Sequence, residues 1–381
     1  MEPAIDSDKP VIVSEVNTKS GHTIGRLTLN KPKALNALDL QMAEIMLMAL
    51  RDWQSRDDMV CVIVDASGEK AFCAGGDIVS MYKAMQKEHG SIPSFLQSFF
   101  TTEYMLDYAI HAFDKPVVVW GSGIVMGGGM GLLNGASHRV VTETSRLAMP
   151  EITIGLYPDV GGSYFLPRLP GKSGLFLGLT GANINAADAL YLGLADHLCH
   201  SQARESVFES LSEKDWDLQS NLGQQVSQAI RDHALSELEV ATSNVSTHQA
   251  LIDAVCSHES LPGIVDAIAN MDTEEDKWLD RAKKTLSVGS PITAHLVYQQ
   301  CIRGNSLTLA ECFRMELIMS CRCGEKGEFE EGIRALLIEK DNAPAWKFSS
   351  VSDVPEDVVN AFFQSPWDEA SHPLAALGEQ E

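Results

Sequence analysis

Hydrophobic positions recur with two different periods in the first 200 residues, and short strands alternate there with helices. PVIVSEV and HTIGRLTLN are rich in β-branched residues and read as two strands joined through Lys19, Ser20 and Gly21. In LQMAEIMLMALRDW the apolar residues return at helical spacing, and Asp39 stands where a helix cap is expected. VCVIVDAS is apolar almost without interruption, as a strand covered on both faces requires. AFCAGGDI follows as a glycine loop, and the stretch from about Ser91 to Phe113 reads as helix. KPVVVWGSGIVMGGGMGLLNGASHRVV then reads as strand, glycine turn, short helix and strand. This repetition of strand, loop and helix predicts an α/β fold with crossover connections.

After Asp196 the pattern changes. Residues from about 201 to 285 are acidic, poor in glycine and amphipathic at helical spacing. Further helices are predicted from Pro291 onward, most clearly in TAHLVYQQCI and LAECFRMELIMSCRC, followed by EFEEGIRALLIEKDNAPAW. No internal repeat and no low-complexity linker separates the two halves. The expected organisation is therefore a core over 9–200, a helical region of the same catalytic unit over 201–365 and a frayed tail over 366–381.

Composition narrows the functional classes. The formal net charge of −23, with no stripe of clustered lysine and arginine, excludes a nucleic-acid partner. No apolar run approaches the ~20 residues of a membrane span. MEPAIDSDKP has neither the apolar core of a secretory signal nor the arginine-rich character of a transit peptide. The expected location is cytoplasmic, although a mature form with its presequence already removed would read the same way. The eight cysteines are scattered, and only Cys321 and Cys323 are close, with no second pair to complete a metal site. Reduced thiols and no metal are the expectation. His138 and His197 lie in mostly apolar stretches and read as structural.

The candidate chemistry gathers in Ala148–Gly162, AMPEITIGLYPDVGG. Its carboxylates Glu151 and Asp159 each follow a proline, in a run otherwise apolar or glycine. Proline fixes φ and biases the preceding residue away from helix, so this is an irregular, held segment. Apolar neighbours on both sides predict desolvation, which raises a carboxylate pKa toward the range of proton transfer. A surface loop with ordinary solvated acids is the competing reading. The two glycine loops before it let backbone N–H groups face a ligand, with a helix N-terminus behind them, as an oxyanion site needs. GIVMGGGMG partly mimics a dinucleotide fingerprint, but the acidic residue expected further on is missing.

At these residues the sequence resembles the crotonase, or enoyl-CoA hydratase/isomerase, superfamily. NKPKALNAL, AFCAGGDI, GIVMGGGMGL and AMPEITIGLYPDVGG look like four of its segments in order, and TGANINAADALYLGLADHL like the next. The resemblance implies a spiral of ββα units with a helical C-terminal region, and an acyl-CoA thioester as ligand. It implies an oxyanion hole from the N–H groups of Gly76 and Gly128, with Ala74 and Ile78 flanking the first. Lys33, Ala34 and Leu35 fall where the family contacts the nucleotide end of coenzyme A, and for Lys33 an exposed solubility lysine is the alternative. Coenzyme A would be part of the substrate, with no separate cofactor. The superfamily's trimers and hexamers make a homo-oligomer compatible with the resemblance, and the assembly state stays open.

The departures point to one branch. The hydratases' first catalytic glutamate would lie three residues after the oxyanion glycine, where this chain has Gly131. The second matches Glu151, and Asp159 stands where hydratases usually have glycine. That pair, FEEGIRALLIEKDNAPAW and the extra length resemble the branch that hydrolyses 3-hydroxyisobutyryl-CoA in valine breakdown, with 3-hydroxypropionyl-CoA as a further candidate substrate. Glu103 in TEYML matches a substrate contact of that branch; an acid on a helix surface is the alternative. The implied chemistry is attack on the thioester, either by Glu151 itself or by water with Glu151 as base, with Asp159 binding the substrate hydroxyl or holding the water. A hydratase or isomerase and a non-catalytic acyl-CoA-binding protein are the competing readings.

Overall fold

The computed structural model describes residues 9–235 and 240–379. Residues 1–8, where the leader was sought, and 380–381 of the expected tail lie outside the described residues. The structure divides into two compact units, each assembled from three stretches of chain: Met1–Gly76, Met105–Leu147 and Ile184–Ser243 in one, and Asp77–Tyr104, Ala148–Asn183 and Asn244–Glu381 in the other.

The first unit is built on a sheet. Strands β1 (Val11–Asn17), β2 (Thr23–Leu29), β3 (Met59–Ala66), β5 (Val117–Gly121), β7 (His138–Thr142) and β9 (His197–Cys199) lie side by side in that order. The β1–β2 hairpin is antiparallel and the remaining pairs are parallel. β3 is buried along its whole length, which explains its unbroken apolar sequence. Helix α1 (Leu40–Gln54) starts where Asp39 accepts a hydrogen bond from the Met42 N–H, the cap that the pattern predicted. His138 and His197 stack with ring centroids 6.0 Å apart, and burial pushes His197 down to about 4. Both are packing groups.

A second sheet consists of β4 (Ala71–Cys73), β6 (Ile124–Met126) and β8 (Arg146–Ala148); the sequence reading merged β4 and β6 into glycine loops and passed over β8. Each is three residues long, too short for a period of two to register. They matter because β4 and β6 run parallel, so the glycine loops that follow them leave from the same end.

The second unit is mainly helical. It includes α2 (Ile78–Lys87), the first part of α3 (Ser94–His111), the acid-bearing segment and the C-terminal helices. The boundary between the units does not fall at residue 200: the second unit takes in Ala148–Asn183 together with the C-terminal helices, which enclose the segment carrying Glu151 and Asp159. Gln300 Nε2 donates to the Pro158 carbonyl at 2.9 Å, and the Ser290 N–H to that of Ile152 at 3.0 Å. Gly155, with φ +71°, lies so close to the chain at Glu328 that a Cβ would sit 2.4 Å from its carbonyl oxygen. The expected frayed tail is mostly exposed but anchored: Leu374 is buried, and Arg314 donates to the Leu377 carbonyl.

Candidate functional site

In the first unit the two glycine loops meet. A Cβ at Gly75 would lie 3.6 Å from the Met126 carbonyl oxygen and 3.9 Å from Gly127 Cα. A Cβ at Gly129 would sit 2.5 Å from the Cys73 carbonyl oxygen, so glycine alone lets α4 (Gly128–Gly135) approach β4 this closely. Gly128 opens that helix, where first-turn N–H groups have no intrahelical acceptor. Among the described residues, neither Gly76 nor Gly128 donates its N–H to a backbone carbonyl outside its own element. Two free donors at the ends of adjacent parallel strands are what an oxyanion hole requires.

The segment Lys31–Leu38 is tied to the first loop. Ala74 N–H donates to the Leu35 carbonyl at 3.1 Å, and Leu38 N–H to that of Gly75 at 2.8 Å. Lys33 and Ala34 lie in an exposed 3-10 turn, Pro32–Ala34, and Leu35 turns left-handed at φ 53°. Asn36, which the sequence reading passed over, holds this shape. It is fully buried, also left-handed, accepts from Lys31 N–H and donates to the Ser67 and Ala71 carbonyls. Asparagine's tolerance of that conformation was the available signal.

The crowding at Gly129 makes the expected oxyanion hole testable. Gly129→Ala is expected to push α4 away from β4, tilt the Gly128 N–H and cut turnover by roughly 10²-fold, the scale of losing one oxyanion donor. Steady-state kinetics check this, with a melting curve to confirm folding.

The acids belong to the second unit. Glu151 begins a 3-10 turn, Glu151–Ile154, directly after Pro150, and Gly155 closes it in the left-handed region. Glu151 is 5% exposed and its Oε2 has no partner among the described residues. Burial first, then the Asp159 charge, holds its carboxyl well above the ordinary range. Asp159 is 4% exposed and accepts a 2.7 Å hydrogen bond on Oδ2 from the Tyr104 hydroxyl. Burial pushes Asp159 up to about 6, while the Tyr104 bond pulls the other way. These are desolvated acids, not those of a surface loop. Glu103, beside Tyr104 on α3, is 2% exposed, so it is not a surface acid. Ile78 is the first residue of α2, which Asp77 caps through the Ser80 N–H.

Four polar residues around Asp159 were not singled out from sequence. Ser320 Oγ stands 2.7 Å from the Tyr104 hydroxyl and 2.8 Å from that of Tyr157, which also donates to the Glu316 carbonyl. Glu316 is fully buried and accepts from the N–H groups of Gly161 and Ser163, both at 2.8 Å. Glu316 and Ser320 sit one turn apart on the buried side of the helix Leu309–Lys326. That pairing of polar residues in LAECFRMELIMSCRC was the only hint in the sequence.

Glycine-loop N–H donors at the ends of parallel strands, with a buried glutamate opening the later irregular segment, define the crotonase class of acyl-CoA enzymes. The enoyl-CoA hydratase/isomerase family model matches residues 24–363, and the chain belongs to that family. It is similar to the mitochondrial 3-hydroxyisobutyryl-CoA hydrolase of Danio rerio, 40% identical over 354 residues that cover 92% of this chain and 90% of that protein. The human mitochondrial protein of the same name is 36% identical over 347 residues, 91% of this chain and 87% of its own. Among solved structures, a carnitinyl-CoA dehydratase from Mycobacterium thermoresistibile superposes with a TM-score of 0.83 at 31% identity, covering 95% of this chain and 98% of that one. An enoyl-CoA hydratase from Rhodobacter sphaeroides gives 0.81 at 32%, with coverage of 94% and 98%. The ββα architecture expected from the sequence is thus the fold of these proteins.

Proposed function

We propose that the chain is an acyl-CoA thioester hydrolase that releases coenzyme A from 3-hydroxyisobutyryl-CoA. The observation that carries this reading is the buried Glu151–Asp159 pair, with Gly131 where a hydratase needs its other glutamate. The names of the relatives at 36% and 40% identity support the acyl group. Gly76 and Gly128 N–H groups bind the thioester oxygen and stabilise the charge that develops on it. Glu151 either attacks the carbonyl carbon, expelling the thiolate and leaving an anhydride for water to cleave, or takes a proton from the attacking water. Asp159, pinned at Oδ2, offers Oδ1 to the substrate hydroxyl or the water. Glu103 contacts the acyl end, Lys33 pairs with a coenzyme A phosphate, and Ala34, Leu35, Ala74 and Ile78 line the path. Coenzyme A enters as part of the substrate, and no other cofactor belongs to the proposal.

A second reading, hydration of an enoyl-CoA, is favoured by the descriptions of the two solved structures. Thiol trapping with 3-hydroxyisobutyryl-, 3-hydroxypropionyl- and crotonyl-CoA separates them. The expected result is fastest thiol release from 3-hydroxyisobutyryl-CoA. Loss of crotonyl-CoA absorbance without thiol would favour the hydratase instead, and binding with neither signal a non-catalytic role. Valine breakdown is the setting such a substrate implies. Among the described residues no helix is long and apolar enough to cross a membrane. The relatives' names are mitochondrial, so they lend no support to the cytoplasmic location expected from composition.

A further inference from the structure

Immediately after Asp159 the backbone takes a conformation that its residues resist. Val160 has φ 50° and Gly161 φ 88°. For a β-branched residue the left-handed region is a true outlier, held only when its surroundings over-determine it. Val160 is also 2% exposed and packed in place. Two buried side chains from different helices grip this turn on either side. Gln300 donates to the Pro158 carbonyl, one residue before Asp159. Glu316 takes the Gly161 N–H on Oε2 and the Ser163 N–H on Oε1.

A fully buried carboxylate is costly unless its geometry is needed. Among the described residues Glu316 has no cation partner in its hydrogen bonds, and burial pushes it up to about 8, with the two amide bonds opposing that rise. The titratable groups facing Asp159 are carboxyls, phenols and one thiol, with no cation among the described residues: Glu151 from its own segment, Tyr104 from α3, Tyr157, and Glu316 and Cys323 from the helix Leu309–Lys326. The Asp159 charge works against ionising Glu316, so charge balance does not account for a carboxyl at this position. Backbone geometry does.

We propose that Glu316 is a positioning residue for Asp159, acting by holding the left-handed Val160–Gly161 turn through the Gly161 and Ser163 N–H groups. The inference rests on the reading of Asp159 as part of the hydrolase site. The helix Leu309–Lys326 thereby sets Asp159 from two directions. Glu316 fixes the turn that aims it, and Ser320, through Tyr104, fixes its carboxylate.

The test is a double-mutant cycle in the thiol-release assay on the full chain. Glu316→Gln turns one oxygen into an NH2 group facing a backbone N–H, so one of the two bonds is lost. The expected result is a kcat roughly 10–100-fold lower with KM little changed, the scale of misplacing a catalytic group by about an ångström. Glycine takes positive φ without penalty. Val160→Gly is therefore expected to shrink the cost of Glu316→Gln, measured against Val160→Gly alone. A role confined to global stability would leave that ratio unchanged. Wild-type kcat in Glu316→Gln, or an equal loss in both backgrounds, overturns the inference. So does failure of both Glu316→Gln and Glu316→Asp to fold, which would make Glu316 a folding requirement. Asp159→Asn run alongside keeps the two readings apart: if it stays active, the role of Asp159 fails, whereas a silent Glu316→Gln beside an inactive Asp159→Asn removes only Glu316.

Discussion

Replacing Glu151 by glutamine is expected to lower turnover by at least ~10³-fold while leaving the protein folded. Either route of thioester cleavage needs an ionised oxygen at this position, and an amide supplies neither a nucleophile nor a base. The structural cost is small because Oε2 has no partner to lose among the described residues and the site already disfavours charge. The thermal consequence has a definite sign. Glu151 is held above its ordinary value of 4.5. As pH rises past that value the unfolded chain releases this proton while the folded chain keeps it, so stability falls with pH across the window. Glutamine removes this slope. The variant should therefore melt no lower than wild type at pH 8, and compare less favourably at pH 4. Thiol release and melting curves at both pH values check the two halves of the expectation. Near-normal turnover would end the role assigned to Glu151.

Asp159→Asn is expected to cost roughly 10²-fold in turnover and to change the shape of the pH profile. In wild type the ionised fraction of Asp159 grows as pH rises through about 6, so kcat/KM should climb on an acid limb in that region. The Tyr104 hydroxyl favours the ionised form and keeps this limb from moving higher. Asparagine can still accept from Tyr104, so the fold is retained, but it does not titrate. A profile measured from pH 5 to 9 in the variant should lose the Asp159 part of the acid limb and keep that of Glu151. An unchanged profile with reduced kcat would mean that Asp159 acts by shape and not by charge.

Much of this protein was legible before any coordinates. The apolar run of β3, the Asp39 cap and the glycine loops are local patterns whose causes lie within a few residues, so period and cap chemistry reveal them. Pro150 and Pro158 mark the acid segment as irregular for the same reason. What local pattern could not decide is the burial of a polar residue on a helix. Glu103 sits in a helical stretch that reads equally well exposed or enclosed, and only packing places it at 2% exposure. The short strands β4, β6 and β8 were missed because three residues carry too little periodicity, yet their pairing brings the two glycine loops together.

The surroundings of Asp159 belong wholly to the tertiary structure. Tyr104 and Ser320 are 216 residues apart, and Glu316 reaches back 155 residues to Gly161. No helical or strand period spans such distances. The sequence by itself determined which acids and glycines are available and which elements carry them, because these depend on neighbouring residues. The folded chain alone decided which oxygen of Asp159 is bonded and how the turn behind it is held, because those are properties of side chains that meet only after distant helices close around them.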